Sequence, residues 1–178
     1  GYTATNKLYG LLEIAAVSYG YAISTYAGQN LGARRMDRVR EGIRAGLVSG
    51  TVTALGIAAA MLIFGRSILS LFIEESGADA LGIAYEFLTI MACCLPILYV
   101  LYVYRSALQG MGNTLMPMVS GIVEFVMRTG AAFILPGIIG YTGLFWAEVL
   151  AWTGADLILI PSYYRMYARQ ASESSFQV

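Results

Sequence analysis

The stretch Tyr26–Arg44, YAGQNLGARRMDRVREGIR, constrains this chain more than any other. It holds Arg34, Arg35, Arg38, Arg40 and Arg44 against only two acids, Asp37 and Glu41. Ile14 to Ala33 before the arginines carry no charge, and neither do Ala45 to Gly65 after them. Two apolar segments joined by a short basic connection read as two membrane helices linked on the cytoplasmic side, because arginine-rich loops stay inside.

Composition agrees. Hydrophobic residues make up 58% of the chain and charged residues 12%, where a soluble domain carries about 25% charged residues. A soluble globule would need a polar skin that this chain lacks. The formal net charge is zero, and the basic residues gather at loops, so no nucleic-acid partner is indicated. Histidine is absent, which removes the commonest general base and metal ligand. Cys93 and Cys94 are adjacent; they diverge by about 100° on a helix and read as small apolar fillers. No catalytic set, metal site or cofactor is expected. The opening GYTATNK has no initiator Met, basic n-region or small-residue cleavage site, so the chain reads as a piece of a longer protein.

Crossing a bilayer takes about 20 mostly apolar residues, and five segments qualify, at about 9–31, 43–64, 83–108, 116–135 and 144–164. The expected fold is all-α, a polytopic transmembrane bundle. SILSLFI at 67–73 is too short to span and fits an interfacial position. Pro96, near the middle of the third span, is a hinge candidate, since a mid-helix proline removes a hydrogen bond and kinks the helix. QGMGNT at 109–114 reads as a turn, Pro117 suits the first turn of the fourth span, and PGIIGYTG at 136–143 reads as a tight turn. Residues 165–178 read as a polar, frayed cytoplasmic tail. With the basic stretch inside, eight basic residues fall inside against Lys7 and Arg66 outside, with Arg128 left within the fourth span. That bias puts the C-terminus in the cytoplasm.

Charges within hydrocarbon cost about 2.5–3.5 kcal/mol each on insertion scales and face a protein interior or wet cavity. Five qualify: Glu13, Glu124, Arg128, Glu148 and Asp156. Glu124 and Arg128 stand four apart with the acid first, a spacing that lets them neutralise each other. They read either as an internal pair holding a helix in register or as part of a gate or substrate path. Glu13 has no charged neighbour at helical spacing. It either snorkels outward or forms a protonatable or cation-binding site. Glu148 lies near the outer end of the fifth span, and Asp156 lies deeper, displaced by about 80° around the helix. Tyr99 falls near the cytoplasmic end of the third span, and Trp146 and Trp152 flank Glu148. They serve either as interfacial anchors or as the wall of a pocket for a lipophilic cation.

Four stretches together resemble one family. GQNLGARRMDRVREGIRAG is similar to the cytoplasmic loop after the second helix of each lobe in multidrug and toxic compound extrusion (MATE) transporters. RSALQGMGNTLMPMVSG resembles the junction of that family's tenth and eleventh helices, and EFVMRTGAAFIL and GYTGLFWAEVLAW resemble its eleventh and twelfth. The resemblance implies that the five spans are helices eight to twelve of a twelve-helix, two-lobe transporter. The missing N-terminal lobe would then be the partner of this piece within the same chain. It implies export of cationic or lipophilic small molecules in exchange for H⁺ or Na⁺, by alternating access across the plasma membrane. Glu13 is placed like an acid on the eighth helix of some members, and is the first candidate for the coupling ion. The chain departs from the family pattern in having no acid in the third span between Glu86 and Arg105. Two other readings stay open: a flippase of lipid-linked oligosaccharides with the same broader fold, and a non-transporting membrane scaffold subunit.

Overall fold

The computed structural model describes residues 2–70 and 78–175. They form α1 (Tyr2–Gly32), α2 (Met36–Ser70), α3 (Ala78–Gly110), α4 (Leu115–Ile134), the single turn α5 (Pro136–Ile139) and α6 (Thr142–Ser175). The five expected spans fall one on each long helix. Among the described residues four segments, Met36–Ser70, Leu81–Gly110, Leu115–Ile139 and Thr142–Glu173, are long and apolar enough to cross a membrane. α1 is comparably long, at 31 residues, but polar side chains interrupt its apolar run. Its described part carries Glu13, Ser18, Tyr19, Tyr21, Ser24, Gln29 and Asn30.

The helices run up and down, so the turns at 33–35 and 111–114 and the end of α6 share one Arg-rich end of the bundle. α3 is the centre. α1, α2 and α6 all pack against it, while α4 touches it lightly and rests mainly on α6. A helix apolar on every side is a buried one. Met91, Leu95, Leu98, Leu101, Val103 and Leu108 of α3 are all within the core.

Small residues set how close the neighbours come. α2 buries Ile43, Gly46, Gly50, Ala54, Ala58 and Gly65 along one stripe, with Gly46 against Ile23, Gly50 against Tyr99 and Gly65 against Leu88. In lipid, where burial gives no hydrophobic drive between helices, such close backbone approach is what packs them. α1 meets α3 in the same way at the Arg-rich end: a Cβ on Gly110 would collide with the backbone of Ser24, and one on Gly28 would come to 3.2 Å from the carbonyl oxygen of Gly110. Side-chain hydroxyls add cross-links. Tyr19 and Thr53 hydrogen-bond at 2.8 Å, and Tyr85 donates to the Leu62 carbonyl at 3.0 Å.

Three expectations are revised. The basic connection is mostly helix, because α2 starts at Met36; only 33–35 form the turn, and the Arg-rich run that follows suits a helix. Residues after Tyr164 are helical through Ser175 rather than frayed. The interfacial segment expected at 67–73 continues α2 to Ser70, and its last residues lie outside the described ones. α3 runs unbroken through Pro96 and α6 through Pro161.

α1 and α3 end with the same pair of backbone bonds. Arg34 N–H donates to the Leu31 carbonyl and Arg35 N–H to that of Asn30; Gly112 and Asn113 repeat the pattern on Gln109 and Leu108. The residue between must turn left-handed, and Gly112 does so at φ 85° while Arg34 does so at φ 58°. A non-glycine residue there costs about 1–2 kcal/mol. Arg34→Gly is therefore expected to stabilise the protein by about 1 kcal/mol, measured by thermal unfolding in detergent. An unchanged or lower melting temperature would contradict it.

Candidate functional site

Tyr102 and Arg105 lie three residues apart, on one face of α3. Tyr102 donates its hydroxyl to Glu13 Oε1 of α1 at 2.6 Å. Arg105 donates through Nη2 to Glu124 Oε2 of α4 at 2.7 Å. One turn further along α4, Arg128 donates to the other oxygen, Glu124 Oε1, at 2.9 Å. The same Arg128 nitrogen stands 3.0 Å from Glu148 Oε2 of α6. A ladder of charged groups thus runs from α1 across α3 and α4 to α6. Ion pairs satisfy charges that hydrocarbon would otherwise leave bare.

Among the described residues α1 makes no backbone contact with α4 or α6. Both sides lean on α3, so the groups stand around a cleft with α3 as its floor. The field of Glu13 reaches Glu148 across it. Beside Tyr102 and Arg105 opens a cavity of about 290 Å³, lined also by Tyr21, Ser24, Ser106 and Gln109. Three acids face two arginines around the cleft, which gives it an excess of negative charge when all are ionised.

The fourth intramembrane acid stands apart. Asp156 is 7% exposed, and its Oδ1 is enclosed without a hydrogen-bond partner among the described residues. Arg105 and Glu124 act on it through their fields. Tyr99 is buried in the core, edge-on to Tyr19 with ring centroids 5.7 Å apart. Trp152 is equally buried, whereas Trp146 is exposed, about 200° around α6 from Glu148. The structure therefore gathers Glu13, Glu124, Arg128 and Glu148, sets Asp156 behind them, and leaves Trp146 outside. Pro96 lies more than one turn from Tyr102 on α3, partly buried.

Two members of the ladder escape a reading of the sequence. Arg105 looks like one more basic residue before a turn, and Tyr102 like an interfacial anchor. Their shared face was visible in the spacing. Their partners, 19 and 89 residues away, were not.

Outside the membrane, Arg35 grips Asp37 through two bonds of 3.0 and 2.8 Å. This hydrogen-bonded guanidinium brings the Asp37 carboxyl down to about 2. At the opposite end Tyr141 donates to Glu86 at 2.7 Å, and the bond pushes the phenol above its ordinary range. Neither pair touches the cleft.

Comparison with known proteins places this arrangement in a lineage. The chain is 28% identical over 172 residues to the probable multidrug resistance protein YoeA of Bacillus subtilis, covering 92% of this chain and 35% of that protein. It is 27% identical over 145 residues to the probable multidrug resistance protein YpnP of the same organism, covering 81% of this chain and 32% of that protein. The chain therefore spans about a third of the length of these relatives. The family model described as MatE matches residues 1–134, from α1 to the end of α4, and the chain belongs to the MatE family.

Proposed function

We propose that this chain is part of a secondary transporter, not an enzyme, that exports cationic or lipophilic small molecules by antiport. The observation that carries the reading is the cleft between α1 and α4, where acids from three helices converge with an excess of negative charge. Its setting in a MatE-family chain whose relatives bear multidrug resistance names supports the same reading. Both arginines of the cleft are paired with acids, which disfavours a flippase for pyrophosphate-linked sugars, since that would need unpaired positive charge.

In this reading Glu13 is the exchange site. Its carboxylate is held at one oxygen by Tyr102 and attracts a cationic substrate from the cytoplasmic side. A proton or Na⁺ from outside then displaces the substrate and favours return to the inward-facing state. The rest of the full-length protein supplies the opposing half against which this one rocks. The Arg-rich end, with the end of α6, faces the cytoplasm of a cell whose plasma membrane the bundle spans.

The test is efflux of a fluorescent lipophilic cation from cells expressing the full-length protein, with the proton and sodium gradients collapsed in turn. Glu13→Gln is expected to lower export at least about tenfold at unchanged membrane level. Export undiminished in Glu13→Gln would remove Glu13 from this role. No export from the wild type would remove the transport reading itself.

A further inference from the structure

We propose that Asp156 is the seat of a second, buried site for a monovalent cation, a proton or Na⁺, separate from Glu13. It deepens the transport reading, in which a coupling ion must find a place. The argument rests on what surrounds the carboxylate. Asp156 is 7% exposed, and Trp152 and Leu159, one turn to either side of it on α6, are buried with it. Its Oδ1 accepts no hydrogen bond from any described residue. Leaving a buried carboxylate charged and unpaired is costly, and burial is tolerated when a cation or proton neutralises the group.

Among the described residues no side chain forms an ion pair with Asp156. From α3, Tyr104 and Arg105 face Asp156, and from α4 Glu124 does. The Arg105 guanidinium is committed to Glu124 at 2.7 Å. Glu124 adds negative potential, which draws in a cation and repels an anion. Tyr104 hydrogen-bonds Tyr164, hydroxyl to hydroxyl, at 3.5 Å. Two turns along the same face of α6 as Asp156, Tyr163 has an enclosed hydroxyl without a partner among the described residues, and its ring packs on Tyr104 at 5.3 Å. The α3–α6 seam thus holds a buried carboxylate with no ion pair among the described residues, which a proton or Na⁺ would neutralise.

A cation that binds the folded protein and not the unfolded chain raises the melting temperature, so the test needs no transport. Full-length protein in detergent is melted at about pH 8.5 in choline chloride, again with Na⁺ replacing choline, and again in choline at about pH 6. A wild-type rise on the order of 2–5 °C is expected in the Na⁺ arm for a sodium site or in the acid arm for a proton site. Asp156→Asn is expected to abolish that rise, and Glu13→Gln to keep it. A rise of the same size in Asp156→Asn overturns the proposal, and so does a wild type that responds to neither arm. Should Asp156→Asn fail to fold, Asp156→Glu keeps the charge but displaces it. It is expected to shift the half-effect concentration at least about tenfold, and an unshifted response overturns the proposal. Failure of export leaves these melting results untouched, so the two readings fail separately.

Discussion

Glu124→Gln is expected to destabilise the full-length protein by about 3–5 kcal/mol, the cost of removing one partner from a buried charge network. Glu124 is the shared acceptor of the ladder, bonded through one oxygen to Arg105 and through the other to Arg128. Its side chain is 18% exposed and that of Arg105 is 21% exposed, against 42% for Arg128. The Arg105 pair therefore dominates. Arg105 has no other acid at bonding distance among the described residues, and its Nε already lacks a partner. Arg128 keeps Glu148. Arg128→Gln takes from Glu148 its one ion pair among the described residues and should likewise cost about 3 kcal/mol. Combining Arg105→Gln with Glu124→Gln should recover part of the loss, because neither group is then left bare. Equilibrium unfolding in mixed micelles measures all four proteins. A Glu124→Gln loss below about 1 kcal/mol would mean that the ladder does not hold the helices together.

Gly110→Val carries the second large effect, a loss of at least about 3 kcal/mol. At the crossing of α1 and α3 the atoms that an added Cβ would strike belong to the Ser24 backbone. A carbonyl in a helix cannot swing aside, so the two helices must part. Gly46 makes the useful contrast, because its added Cβ would meet the tip of the Ile23 side chain, which can change rotamer. Gly46→Ala should stay within about 1.5 kcal/mol. Parting α1 from α3 would also draw Glu13 away from Tyr102, so on the proposed transport reading Gly110→Val should lose export along with stability. A Gly110→Val protein that melts like the wild type would show that the crossing tolerates a wider spacing.

Much of this architecture was legible in the sequence. The all-helical class, a turn at 111–114 and the small-residue packing of α2 follow from local rules of periodicity, turn chemistry and residue size. The helices, however, run past the apolar spans, to 31–35 residues in four of the long ones. Glu124 and Arg128 could be paired by counting, because a helix fixes residues four apart. What counting cannot reach is the third dimension. Arg105 was assigned to the membrane surface because it stands near a turn, yet its long side chain points back along the bundle to Glu124. Trp146 and Trp152 were grouped because they flank Glu148. Six residues apart on a helix, however, they face different ways, one into the core and one out. The basic stretch was read as a loop because charge cannot cross a membrane. That rule limits where charge lies, and leaves open whether the backbone there is wound.

That winding has a consequence for how the chain enters the bilayer. α2 begins at Met36, so Arg38 and Arg40 ride on its opening turns. A helix N-terminus carries partial positive charge, and each cation beside it costs about 0.3–1 kcal/mol. Asp37 is the one acid in that turn, and Arg35 already holds it. In the proposed orientation, the residues that hold this end in the cytoplasm are thus the ones that oppose their own helix. Direction and local firmness trade against each other at this end: neutralising either arginine would tighten the turn and weaken the signal that keeps it out of the lipid.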